Sequence, residues 1–401
     1  MKTIQPPLSA ILAFPFTSPA LVLALSVALG FVAAAPAAHA QKYAVLHTFK
    51  GGNDGVGPGG RLLRDSAGNL YGTTDSGGSF NGGTVFKIDT KNIETVLYSF
   101  TNGNDGGFPT AGVVRDSEGN LYGTTDIGNG NIFKIDAAGH ETTLYEFKDS
   151  PDGFGPYTGV IRDSEGNLYG ATIGGGISGN GAVFKLDSSG IETVLYSFAG
   201  GSDGSSPASG LIRDAAGNLY GSTVNGGGSG ACPNGCGIVF KVDKNGIETI
   251  LHTFSGGDGQ GPTGPLTRDT KGNIYGTTQF GGASGNGTVY KLDKTGKETV
   301  LYSFPSGAET IPVSGVIRDA AGNLYGTTEL GGAFLAGSVF KLNTAGKLTT
   351  LYSFQAKSDG AFPFTGVIQD AAGNLYGTTN EYGDTRCDSP FGCGTVFKIT
   401  Q

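Results

Sequence analysis

The sequence has no tryptophan, one methionine, four histidines and four cysteines, and charged residues make up only 15% of it. Each scarcity removes a class of function. Lys and Arg number 26 against 34 Asp and Glu, for a formal net charge of −8. No stretch gathers the cationic side chains needed to neutralise phosphates, which excludes nucleic acid as a partner. Histidine is too sparse for a histidine-built metal centre: His140 opens "HETTL", which lacks the second histidine of the His-Glu-x-x-His zinc signature. His47 and His252 stand where a recurring segment otherwise has tyrosine, so both read as structural. There is no P-loop, and no cysteine stands as a free nucleophile. Beyond residue 40 no apolar run is long enough to cross a bilayer, and the 3.6-residue periodicity of amphipathic helices is missing.

What is present in excess is glycine, 73 residues of it, falling in clusters that punctuate short apolar segments. The heptapeptide "GNLYGTT" at residues 68–74 returns in close copies centred on Asn120, Asn167, Asn218, Asn273, Asn323 and Asn374. A repeat of about fifty residues marks one supersecondary unit that must stack on its neighbours to bury an apolar face. Four segments recur in each unit, exemplified by "AGVVRD", "NLYGTT", "NIFKID" and "ETTLYEF" between residues 111 and 147. Their Val, Ile, Leu, Phe, Tyr and Thr content is that of strands, and the Asp-x-x-Gly turns between them suit hairpins. Each unit is therefore expected to be a four-stranded antiparallel meander.

Seven such units predict an all-β, seven-bladed propeller. The chain ends sharpen this. The last unit stops after its third segment, "TVFKIT", while "YAVLHTF" at residues 43–49 is a fourth segment with no unit of its own. Joined, they complete the last blade and leave no open edge. Residues 1–40 read as a signal peptide: one charge, Lys2, an apolar run, and Ala38-His39-Ala40 before the cleavage point. Residues 41–401 then form a single propeller domain, secreted or periplasmic and monomeric.

The runs "GNLYGTT", "TVFKID" and "ETVLYSF" resemble the tandem GloVer (Gloeo/Verruco) repeat of exported bacterial proteins, over nearly all of the mature chain. The resemblance implies an extracytoplasmic propeller-like array with no established activity. It also implies a C-terminal anchor, of which the chain shows no sign after its last segment. A similarity to NHL-type propellers implies that the first segment lies innermost and the fourth outermost. Kelch repeats share the period but not the absence of tryptophan. With that order, the variable glycine-rich loops share one face and the short turns the other, and the loop face is where binding is expected.

Several residues are candidates for function. "DGxxP" recurs with Asp54, Asp105, Asp152, Asp203, Asp258 and Asp359, with Ala308 in the sixth loop. It reads as a turn held by Asp, with calcium ligation as the functional alternative. The Arg-Asp ending six first segments, from Arg64 to Arg318, reads as Arg paired with its turn Asp. Cys232 with Cys236, and Cys387 with Cys393, suit two local disulfides or a zinc site. The pairs fall in separate blades of an exported protein, which favours disulfides. Where the repeat stops repeating, just after "GTT", stand Asp75, Asp126, Ile173, Val224, Gln279, Glu329 and Asn380. Around a closed ring, Glu329, Asn380, Asp75 and Asp126 form a polar crescent able to bind a polyhydroxylated ligand or to act as an acid and base pair. Asp75, Asp126 and Glu329 are also weak candidates for calcium, although no cofactor is predicted. Exposed aromatics expected on the same face are Phe80, Phe108, Phe154, Phe280, Phe334, Tyr382 and Phe391. The reading is a scaffold that binds a glycan, a peptide or a surface protein; the alternative is a carboxylate- or metal-dependent hydrolase or lyase.

Overall fold

A computed structural model describes residues 41–306, 310–387 and 391–401; the expected signal peptide at 1–40 lies outside the described residues. In the first repeat the segments become strands β1 (Leu63–Arg64), β2 (Leu70–Thr74), β3 (Thr84–Ile88) and β4 (Glu94–Ser99), hydrogen-bonded in that order. The same antiparallel order recurs in seven sheets. In the fourth sheet the second strand lengthens to Leu219–Asn225 and accepts an additional short strand, Ser205–Pro207.

The seventh sheet closes the ring. Val367–Gln369, Leu375–Thr379 and Thr395–Thr400 are completed by Lys42–Thr48 from the other end of the chain, with Lys42 opposite Thr400 and Thr48 opposite Thr395. Tyr43 fixes the joint by stacking on Tyr352 of the sixth blade, ring centroids 3.8 Å apart, and its hydroxyl donates to the Asp359 carbonyl at 2.7 Å. The first strands of all blades line a central channel and the fourth strands form the rim.

The core is divided among seven buried clusters, each shared by two neighbouring blades. At the centre of each, the Phe that follows a fourth strand packs edge-on against the third-strand aromatic of the next blade. Phe49 meets Phe86, Phe100 meets Phe133, and so on around to Phe354 with Phe397, at centroid separations of 5.0 to 5.6 Å. Such a pair adds about 0.5–1.5 kcal/mol beyond the area it buries.

The heptapeptide is explained letter by letter. Asp65 accepts the Asn69 backbone N–H and side-chain amide, both at 2.8 Å, and the Tyr71 hydroxyl at 3.1 Å. The same triad stands in every blade. Gly72 lies under the Phe86 ring, where a Cβ would come within 2.6 Å of Cζ, so only glycine lets the third-strand aromatic lie across the second strand. Thr73 donates to the Ala111 carbonyl of the next blade at 2.9 Å, and Thr74 bonds across the sheet to the Thr84 hydroxyl at 2.9 Å. The motif thus binds a turn, a sheet and the neighbouring blade together.

The arginines differ from expectation. Instead of pairing with their own turn Asp, they lie over the tyrosine of the preceding blade, as Arg115 does over Tyr71 at 5.7 Å and Arg64 over Tyr376 at 5.6 Å. Among the described first-strand arginines, Arg213 comes within 3.9 Å of a carboxylate, that of Asp163 in the preceding blade, and Arg318 donates to the carbonyl, not the carboxylate, of its turn Asp319 at 3.5 Å. The cause is that each first strand packs against the preceding blade's second strand, so the guanidinium lies between the glycine of its own turn and the neighbouring ring face rather than on its turn carboxylate.

Candidate functional site

Because every blade is an antiparallel meander, the loops after its second and fourth strands emerge on one face. Isolated bridges tie these loops to each other: Val56 to Ser76, Phe154 to Gly174, Gln260 to Phe280 and Ala361 to Glu381. The "DGxxP" aspartates hold this framework. Asp152 accepts the Tyr145 hydroxyl at 2.8 Å and the Lys148 N–H at 2.9 Å, and Asp359 does the same with Tyr352 and Gln355. His47 and His252 replace the tyrosine, with Nε2 at 3.0 Å from Asp54 and 3.1 Å from Asp258. The turn reading of these carboxylates therefore holds. Ala308 of the sixth loop lies outside the described residues.

Of the crescent, the structure joins two members directly. Asp75 is hydrogen-bonded to Asn380 across the boundary between the first and seventh blades. Burial pushes the Asp75 carboxyl up to about 7, against the opposing effect of Asn380. Its Oδ1 is buried with no hydrogen-bond partner among the described residues, pressed so close to Gly59 that a Cβ there would stand 1.9 Å away. Asp126 accepts instead from Tyr157, a loop residue of the third blade; burial raises the Asp126 carboxyl, and the hydrogen bond helps push the Tyr157 hydroxyl up to about 12. Glu329 is half-buried and raised by burial alone. Among the described residues no three Asp, Glu, His or Cys side chains come together as a metal-binding group. The crescent thus consists of an Asp75–Asn380 pair, an Asp126–Tyr157 pair and a separate Glu329.

Around it, six of the expected aromatics stand in solvent: Phe80, Phe108, Phe154, Phe280, Phe334 and Phe391 are 37 to 59% exposed. Tyr382 is half-buried beside Phe362. The central channel encloses about 500 Å³ with mostly aliphatic walls, and Arg61 from the first blade lines it. Burial pulls the Arg61 guanidinium below its ordinary value.

The cysteines form the disulfides Cys232–Cys236 and Cys387–Cys393. No described helix is long and apolar enough to cross a membrane.

The Gloeobacter/Verrucomicrobia repeat matches residues 35–233 and 228–401. The chain belongs to the Gloeobacter/Verrucomicrobia repeat family. No curated protein matches it. Among solved structures, this repeat propeller is similar to the extracellular domain of a B. thetaiotaomicron protein assigned as a hybrid two component system. The TM-score is 0.58 at 12% identity, over 89% of this chain and 39% of that one. An extracellular domain assigned to a one component system of the same organism gives 0.55 at 13% identity, over 87% and 39%. The repeat propeller spans about two fifths of those chains, and at such identity the likeness establishes the fold. A gluconolactonase of Xanthomonas campestris reaches only 0.46 at 12% identity, over 90% of this chain and 89% of its own, and carries no functional argument.

In this member of the Gloeobacter/Verrucomicrobia repeat family, Arg61 is the polar residue that the sequence reading missed. The signal was available: the equivalent positions are Gly112, Gly159, Gly210, Pro265, Gly315 and Gly366.

Proposed function

We propose that the protein is an extracytoplasmic binding scaffold that holds a glycan on its glycine-rich loop face. The observation that supports this reading is the set of six exposed phenylalanines carried by one face of a rigid ring. Isolated large apolar groups on a surface mean little, but several on one concave or rimmed face mark a recognition surface. Flat rings cover the apolar faces of sugars, while half-buried carboxyl and amide groups such as Asp126 and Asn380 can meet hydroxyls. The two disulfides and the likeness to extracellular domains suit an oxidising location outside the cytoplasm. The test is a glycan array followed by affinity electrophoresis with wild type and a Phe80→Ala, Phe280→Ala, Phe334→Ala variant. At least a ten-fold weakening at unchanged melting temperature is expected. Absence of glycan retention by the wild type, or retention only of peptides or proteins, would refute the glycan reading.

A second reading, a hydrolase or lyase, rests on Asp75. A carboxyl held near 7, with one oxygen lacking a protein partner, has the protonation behaviour of a general acid. Turnover of a polysaccharide that disappears in Asp75→Asn while binding persists would favour it over the scaffold.

A further inference from the structure

The residue that leads into the first strand of each blade sits where the chain comes nearest the axis. It is glycine or proline in six blades. Neighbouring backbones crowd two of these positions, where a Cβ on Gly112 would lie 2.3 Å from the Arg61 carbonyl oxygen and one on Gly315 would lie 2.2 Å from that of Pro265, whereas a Cβ on Gly210 would meet nothing nearer than 3.6 Å. The first blade breaks this rule with Arg61. At this level the sequence supplies one long side chain, and it is a cation. Six blades are built without it, so the scaffold does not require it.

Arg61 borders both the channel and a narrow crevice formed by Pro265, Ser314, Gly315 and Thr365 from the fifth, sixth and seventh blades. The hydroxyls there are already engaged: Thr365 with Thr378 at 2.8 Å, and Ser314 with Thr327 at 2.8 Å. Among the described residues, no protein hydrogen bond or ion pair is formed by the guanidinium. Arg61 is the charged residue of the channel wall, which is otherwise largely apolar, with Leu62, Val113, Val160, Leu211 and Ile368 among the residues around about 500 Å³ and a few hydroxyls such as Thr158 and Thr263 between them. That volume lies within the roughly 300–1,000 Å³ of small-molecule sites. A charge partly withdrawn from water, as Arg61 is, gains from a counter-charge, and the planar guanidinium fork matches a carboxylate with two parallel hydrogen bonds.

We propose that the axial channel is a binding site, separate from the loop face, for a small organic monocarboxylate with an apolar body, its carboxylate paired with Arg61 and its body against the aliphatic wall. A phosphate dianion fits less well, since one cation balances only half its charge and the Ser314 and Thr365 hydroxyls beside Arg61 are engaged.

The experiment uses residues 41–401 of the protein, with cyclohexanecarboxylate, its neutral carboxamide and inorganic phosphate as probes in titration calorimetry. Saturable one-to-one binding of the carboxylate is expected, with the carboxamide and phosphate at least ten-fold weaker. Arg61→Gly, which installs the residue most other blades carry, should lose at least ten-fold in carboxylate affinity, and Arg61→Lys should fall between. Without ligand, Arg61→Gly should melt no lower than wild type, and its glycan retention on the loop face should be unchanged. The proposal is overturned if the wild type does not bind the carboxylate, if carboxamide or phosphate binds as tightly, or if Arg61→Gly binds as wild type does. A ligand-free Arg61→Gly melting several degrees lower would make Arg61 a packing residue and overturn it equally.

Discussion

At the scale of single residues, the repeat hides a set of carboxyls whose importance depends on their neighbours. Glu94, Glu192 and Glu248 begin fourth strands beside the "DGxxP" aspartate of the preceding loop. Burial first, and then Asp54, Asp152 and Asp203 respectively, push these carboxyls up to about 7. One oxygen of each is buried without a hydrogen-bond partner among the described residues. A carboxyl with a folded value above its unfolded one favours the fold in its protonated form. Its contribution is complete below about pH 4 and disappears as pH rises through about 7. The turn aspartates act in the opposite direction. Burial pushes the Asp65 carboxyl up, but hydrogen bonds from Asn69 and Tyr71 prevail and hold it below its ordinary value, so its contribution is lost in acid. Stability should therefore peak near pH 5, and the melting temperature should fall by on the order of a few degrees between pH 5 and pH 8. Glu192→Gln should make that fall shallower. A melting temperature that rises over this interval would contradict the assignment. In the sequence these glutamates were only the repeat's usual residue, because nothing in "ETVLYSF" tells where the neighbour's loop will lie. Arg61 was overlooked for a different reason: aligned repeats show it against glycine and proline, but nothing in the sequence tells that this position borders the axial channel.

At the scale of elements, strands and turns were legible because their determinants are local. The Asp-x-x-Gly-Asn turn, the glycine beneath the third-strand ring and the alternation of apolar residues all act within one hairpin. The cysteine pairing was legible too, since each pair shares a loop. Its role in packing was not: Cys236 and Cys393 are fully buried within clusters between blades, and Gly51 leaves room for Cys387, to whose Sγ a Cβ would come within 2.8 Å. Cys232→Ser with Cys236→Ser should cost about 2 kcal/mol on the chain-entropy account. Thermal melts with and without reductant would measure it, and peptide mapping of protein recovered from outside the cytoplasm should find each cysteine joined to its loop partner. The strand Ser205–Pro207 was unforeseen, for it exists only because Leu219–Asn225 runs on past its usual length and offers an edge.

At the scale of the molecule, seven copies and an orphan strand were enough to foresee a closed propeller, and the pairing of Lys42–Thr48 with Thr395–Thr400 realises it. Removing residues 41–49 should expose the edge of the last strand, deprive Phe86 of Phe49, and lower amide protection in every blade rather than in the last alone. Unchanged protection in the remote third and fourth blades would show that the blades are energetically independent. The reason to expect otherwise is the closure itself. An open stack of repeats has two ends, where unfolding starts at the cost of a single interface. This ring has a periodic boundary: any blade that melts must give up two interfaces at once, so no blade has the role of a terminal repeat, and the one seam is the pairing of the chain's two end strands in the seventh blade.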